Sequence, residues 1–170
     1  TPLCFGDDPS DVTIAPESPN AGGVAYQWET NQGDGWSDAG QDATGFSTGL
    51  LTDDTQIQVT VTSDEGCGSV TSATFDIPVW PELQGASIAS TSPADTTCID
   101  EIPSPLTTLV TSSGADEDFI QQWQVLSANG WSNLNDENGS DLQPGGLEVT
   151  TQYRLVSTST YGCGTVTSNT

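Results

Sequence analysis

Thr55-Gln56-Ile57-Gln58-Val59-Thr60-Val61-Thr62-Ser63, followed by Gly66-Cys67-Gly68 and Val70-Thr71-Ser72, is the stretch that decides the fold class. Within it Ile57, Val59 and Val61 alternate with Gln58, Thr60 and Thr62. A period of two sends one side chain to a core and the next to water, the pattern of a half-buried β-strand. Gly66-Cys67-Gly68 supplies a turn. Val70 to Val79 then reads as one returning strand that ends on Phe75, Ile77 and Val79.

Working outward, the chain states this stretch twice. Gln152, Cys163 and Ser168 repeat Gln56, Cys67 and Ser72 at a shift of 96 residues. Upstream, Trp28 recurs as Trp123 and Trp36 as Trp131, both at a shift of 95. The words around them recur too: Tyr26-Gln27-Trp28 beside Gln122-Trp123-Gln124, and Gly35-Trp36-Ser37 beside Gly130-Trp131-Ser132. A fixed period of this size means two copies of one domain in tandem. Their expected spans are residues 1–80 and 81–170, with Pro78-Val79-Trp80-Pro81 as a short, stiff joint.

Further strands are expected at Val12–Ile14, Ala25–Thr30, from Gly35-Trp36, and at Leu83–Ile88, Leu106–Val110, Phe119–Leu126 and Gln152–Ser157. Residues 38–49 are polar and Gly-rich, with Phe46 the candidate for burial. No stretch carries helical periodicity of useful length. The expected fold is all-β: two tandem immunoglobulin-like antiparallel sandwiches, with Trp28 and Trp123 at the core position. The first copy has no counterpart of Leu83–Ile88, and the second none of Ala73–Val79. Each is therefore expected to lack one edge strand. Unpaired edges invite pairing, so the array is expected to continue on both sides, or a neighbouring chain to donate the strand.

Four cysteines, Cys4, Cys67, Cys98 and Cys163, fall two to a copy. Three connectivities are possible. Because each copy should fold by the same rules, the repeat favours Cys4–Cys67 and Cys98–Cys163. Closing such a loop of about 65 residues contributes about 4 kcal/mol in the chain-entropy picture. Disulfides at this density imply an oxidising, extracellular setting.

The 24 acidic residues face a single basic one, Arg154, giving a net charge of −23. That field repels phosphate backbones and anionic lipid, which argues against nucleic acid as a partner. The chain has no His and no Lys. A serine-type triad, a Schiff base, a His-ligated zinc and a Lys–Asn crosslink are thereby excluded. No apolar run is long enough to span a bilayer, so no direct membrane insertion is expected. Nor does any pair of carboxylates stand out as a glycosidase pair. The expectation is no enzyme and no catalytic residue.

Three possible sites remain. Trp36 and Trp131 follow glycines beside polar loops, where an aromatic face could stack on a sugar ring. Asn133-Leu134-Asn135-Asp136-Glu137-Asn138-Gly139-Ser140-Asp141 offers closely spaced oxygen ligands of the kind calcium prefers, without EF-hand spacing. No metal ligand is assigned from it, and calcium stays a weak alternative to no cofactor. Asn138-Gly139-Ser140 fits the N-glycosylation sequon.

In this order the motifs resemble a known family: the Ig-like, PKD-like repeats of very large surface proteins of Bacteroidota, including gliding-motility adhesins exported by type IX secretion. The resemblance rests on Cys4-Phe5-Gly6-Asp7-Asp8-Pro9, Tyr26-Gln27-Trp28-Glu29, Gly35-Trp36-Ser37-Asp38 and Gly66-Cys67-Gly68-Ser69-Val70 in the first copy. In the second it rests on Leu83, Gly85, Ile88, Gln122-Trp123-Gln124, Trp131-Ser132-Asn133, Leu147, Thr150-Thr151-Gln152-Tyr153-Arg154 and Gly162-Cys163-Gly164-Thr165-Val166-Thr167-Ser168-Asn169. Two departures stand out: Ile57-Gln58 where the family shows an aromatic-Arg pair, and Cys98-Ile99-Asp100-Glu101 where it shows Cys-aromatic-Gly. The resemblance implies that Asp95-Thr96-Thr97 is an O-glycosylation signal with Thr96 as acceptor. It also implies a structural segment of an adhesin or surface filament, a disulfide-stabilised rod in attachment or gliding. The expected partners are flanking repeats, neighbouring filament subunits and an extracellular surface or polysaccharide. A carbohydrate- or ligand-binding module using Trp36 and Trp131 is the alternative.

Overall fold

The computed structural model describes residues 1–14, 23–41, 44–92 and 96–170. Among these residues the chain is all-β, without a helix. It divides into two compact units, Thr1–Pro81 and Glu82–Thr170.

The first unit holds β1 (Val12–Thr13), β2 (Val24–Asn31), β3 (Ser37–Gln41), β4 (Gly45–Phe46), β5 (Thr55–Ser63), β6 (Ser69–Thr71) and β7 (Phe75–Ile77). Its larger sheet runs β3-β2-β5-β6, and β7 pairs with the start of β5; β1 and β4 form a separate pair. All the strand pairs are antiparallel. The alternation in β5 does what it promises. Ile57 and Val59 are buried, Gln56 and Thr62 are exposed, and with Trp28, Leu51 and Ile77 they build the core.

The polar stretch 38–49 carries the end of β3, which runs to Gln41, and β4, which places Phe46 against the core. One expectation for this unit is corrected. Residues 70–79 are not one strand. β6 matches Thr60 to Thr71, whereas β7 matches Ile57 to Phe75, one residue out of step. The extra residue is absorbed at Ser72, whose N–H donates to the Val59 carbonyl while its Oγ accepts from the Val59 N–H at 3.1 Å. A bulge of this kind bends a strand without ending its sheet.

The second unit holds β8 (Ser87–Ser90), β9 (Leu106–Val110), β10 (Phe119–Ser127), β11 (Gly130–Asn133), β12 (Tyr153–Ser159) and β13 (Thr165–Thr167). Its sheet runs β11-β10-β12-β13, and β8 pairs with β9. Trp123, Leu155, Leu142, Ile88 and Ala86 form the core. The register repeats that of the first unit. Trp28 faces Val59 across the sheet and Trp123 faces Leu155; Thr62 faces Ser69 and Thr158 faces Thr165.

Pro78-Val79-Trp80 is tied into the first unit. Leu3 N–H donates to the Pro78 carbonyl, Trp80 N–H to the Leu3 carbonyl, and Val79 N–H to Asp54 Oδ1 at 2.7 Å.

The cysteine pairing needs the largest correction. Cys4 and Cys163 are the disulfide-bonded cysteines, while Cys67 and Cys98 are exposed free thiols. Neither Cys4–Cys67 nor Cys98–Cys163 forms, and the reason is strand length. Cys4 lies at the Thr55 end of β5, because its neighbour Leu3 bridges Val79 and Gly6 bonds the Leu51 carbonyl. Cys67 sits in the turn at the other end. Nine residues of strand separate the ends by about 27 Å, and a disulfide needs Cα atoms within roughly 7 Å. In the second unit Asp100 bonds the Leu147 carbonyl, and Thr97 and Tyr153 line one cavity, which puts Cys98 at the start of β12. Cys163 follows its far end.

Candidate functional site

The features that could carry function are the tryptophans, the cysteine turns and the acidic loops. The core pair comes first. Trp28 is 2% exposed and Trp123 fully buried at 0%. The Trp28 ring stacks on Phe46, with centroids 5.5 Å apart and planes 19° from parallel. Trp123 Nε1 donates to the Gly139 carbonyl at 2.9 Å. The preceding glutamine braces each ring. Gln27 Nε2 donates to Asp38 at 2.6 Å and to the carbonyls of Trp28 and Gly40. Gln122 Nε2 reaches the carbonyls of Leu134, Trp123 and Glu137 at 2.7, 2.9 and 3.2 Å. A buried indole wants a partner for its N–H, and a glutamine amide can satisfy several carbonyls at once. These residues fasten the fold.

The turns that carry the early cysteines are copies. Cys4 N–H donates to Asp7 Oδ2 at 3.2 Å, and Cys98 N–H to Glu101 Oε2 at 3.0 Å. Gly6 takes a positive φ of 80°, and its counterpart Asp100 one of 66°. Aspartate tolerates this left-handed conformation better than most residues. The departure Cys98-Ile99-Asp100-Glu101 therefore keeps the turn.

The two platform candidates differ. Trp36 is 39% exposed and leads into β3. Trp131 lies within β11 opposite Leu126 and is half-buried. The Arg154 guanidinium lies 4.4 Å from its ring centroid, an attraction between cation and ring quadrupole. Arg154 Nε is held in turn by Gln124 Oε1 at 2.8 Å. The counterparts in the first unit are Gln58 and Glu29, joined Nε2 to Oε2 at 2.9 Å. One face of Trp131 is thus occupied by the chain's own cation, and the structure does not bring the two tryptophans into a matched pair of platforms.

Several oxygens of the loop between Asn133 and Asp141 accept internal hydrogen bonds. Asn133 Oδ1 accepts from Gln124, Asp141 Oδ1 from Thr107 at 2.6 Å, the Ser140 carbonyl from Thr108, and the Glu137 and Gly139 carbonyls from Trp123. Among the described residues no group of three or more His, Cys, Asp or Glu side chains is gathered to hold a metal ion.

Sequence reasoning missed the turn Gly114–Asp118. Gly114, Ala115 and Glu117 all take positive φ there. Asp116 accepts from Ser159 Oγ and Thr160 Oγ1, both at 2.8 Å. Burial pushes the Asp116 carboxyl up, but the hydrogen bonds from Ser159, Thr160 and the local backbone outweigh it, and the group lies below its ordinary 3.8. Its signal in the sequence was the run Asp116-Glu117-Asp118, which looks like any acidic surface patch.

Thr96 is exposed. Asp95, the first residue of its proposed signal, lies outside the described residues, and Asn138 of the sequon is exposed.

Residues 87–170 match a family described as a domain of unknown function, DUF8696. The span takes in all of β8 to β13. No curated protein matches the chain.

Proposed function

We propose that this chain is a structural repeat segment of a long extracellular adhesin or surface filament. In this reading each unit is an immunoglobulin-like sandwich, and the repeats act as a rod in surface attachment or gliding motility, as the resemblance to Bacteroidota surface repeats implies. The observation that carries the reading is the repetition of fastening at equal positions: Trp28 and Trp123 in the cores, Gln27 and Gln122 bracing them, Ser72 and Ser168 closing the sheets. Conservation of scaffold between two copies, with divergence in the loops, fits a module selected for being built again.

The reading changes in one respect. The disulfide is no longer a fastening inside each copy, so resistance to extension rests on the ladders of β5 and β12 and on the packed indoles. The net charge of −23 keeps neighbouring rods apart by self-repulsion. The partners are flanking repeats and an extracellular surface or polysaccharide, the setting is the cell exterior, and no catalytic step is involved. Small-angle scattering tests the mechanical core of the reading: an elongated particle is expected, and a compact pair of domains lying side by side overturns it.

The exposed indole of Trp36 favours a second reading, a carbohydrate- or ligand-binding module. Saturable quenching of its fluorescence by an oligosaccharide, abolished by Trp36→Ala, would support it. Glycan screening without a hit removes it.

A further inference from the structure

We propose that the first unit carries an acceptor groove for an extended β-strand, filled by a segment of β8 pattern from another repeat of this kind. The inference deepens the repeat-module reading and rests on it for the source of the strand.

The groove is a cavity of about 630 Å³ lying wholly within the first unit. Val12 and Ile14 wall one side and Ser72 and Ala73 the other, with Trp28 and Val59 on the floor. Among the described residues β1 is paired on one edge, to β4.

The second unit shows what belongs there. The counterparts of the two walls are β9 and the end of β13, and between them runs the Gly85–Ser90 segment. β8 pairs with β9 along Ser90–Leu106, Ala89–Thr107 and Ile88–Thr108. Ile88 is 5% exposed and joins Ala86 in the core beside Trp123. Asn169 clamps the strand from the other wall: its Oδ1 accepts from the Ile88 N–H at 2.7 Å and its Nδ2 donates to the Ile88 carbonyl at 2.8 Å. Gly85 passes so close to the Thr167 carbonyl that a Cβ there would collide with it. The ligand chemistry follows: an extended peptide with glycine, then small residues and one β-branched aliphatic three positions on, bound by strand addition. The first unit has Ala73 where the second has Asn169, so its groove offers main-chain pairing and apolar burial but no amide clamp.

The test is a fluorescent peptide covering residues 82–92, titrated with the whole chain and followed by anisotropy, with the binding surface mapped by amide chemical shifts. Saturable binding with a Kd on the order of 100 μM is expected, with shifts at Val12–Ile14 and Ser72–Ala73. Ile88→Asp or Gly85→Val in the peptide should weaken binding at least about tenfold, by placing a charge in the groove or a side chain against the Thr71 backbone. Ala73→Asn in the protein, an exposed position, should tighten it about tenfold by restoring the clamp. No saturation by about 1 mM, equal binding of the Ile88→Asp peptide, or shifts confined to the second unit would each overturn the proposal. Its failure is separable from that of the rod, because scattering reports shape and the titration reports only the groove.

Discussion

In the second unit Trp123 is closed in from every side: Leu155 across the sheet, Gly139 on the indole N–H, and β8 with Ile88 laid over the core. In the first unit Trp28 faces Val59 in the same register and stacks on Phe46, but it also floors an open groove. The skeletons agree almost bond for bond. Ser63 N–H bonds the Gly68 carbonyl as Ser159 bonds Gly164, and Ser72 closes on Val59 as Ser168 closes on Leu155. The differences lie at the edges, in β7 on one side and β8 on the other. The two units thus share one core register while different strands pair at their edges.

The sharpest way to break this equivalence is at the indoles. Removing a buried Trp side chain costs roughly 3–5 kcal/mol. Trp123→Ala should fall at the upper end of that range, because Leu155 and β8 with Ile88 enclose the ring completely. Trp28→Ala should fall at the lower end, because its site already adjoins open space. Urea unfolding of the two variants checks the ranking; equal losses would mean that the groove does not weaken the first core.

The two serines come next. Ser168 is buried, its Oγ accepting from Leu155 N–H at 2.9 Å and donating to the Asn169 carbonyl at 2.6 Å. Leaving a buried N–H without its side-chain partner costs about 1–3 kcal/mol. Ser72 makes the same two bonds but is exposed, so water replaces them. Ser168→Ala should lower stability by about 1–3 kcal/mol and Ser72→Ala by less than about 1. Comparable losses would show that exposure of Ser72 in the first unit does not admit water to the bulge.

Much of this was legible beforehand, and the limits have physical causes. Alternation exposed β5, and the repeat placed Trp28 and Trp123 together. The bulge at Ser72 was hidden because period two resumes on either side of it, so Val70 to Val79 scans as one strand. The cysteine pairing went wrong because a repeat says that two copies obey the same rules, not which end of a strand each cysteine occupies. Asp100 looked like a departure because sequence records side chains, whereas the turn selects a backbone angle that aspartate can reach. The cover over Trp131 was unreadable because β11 and β12 lie on opposite edges of β10, and no local spacing links Trp131 to Arg154.

The acidic turn of the second unit gives a pH-dependent contrast. The Asp116 carboxyl is depressed in the folded state, so the stability it contributes is fully present above its ordinary value of 3.8. That contribution is lost as pH falls through the lower folded value. Thermal melts from pH 6 down to about 2 should show wild type losing stability in this window. Asp116→Asn should melt lower than wild type at neutral pH, with the gap closing as the acid limit is approached. A gap independent of pH would mean that Asp116 acts through shape and not through its charge.

The smallest effect tests why one platform is covered and the other is not. Arg154 over Trp131 is worth about 0.5–1 kcal/mol at an exposed site. Arg154→Gln gives the second unit the residue that Gln58 supplies in the first, so Trp131 should come to resemble Trp36, with red-shifted emission and stronger acrylamide quenching. Gln58→Arg is the reverse experiment. Glu29 already stands where Gln124 holds Arg154, and a carboxylate should hold a guanidinium at least as well. The new arginine should then settle over Trp36, blue-shift its emission and reduce its access to quencher. If Trp36 remains as accessible as before, its exposure is set by the Asn31–Gly35 turn, where Asn31 Oδ1 collects the N–H groups of Gly33 and Gly35, and not by the absence of a cation on β5.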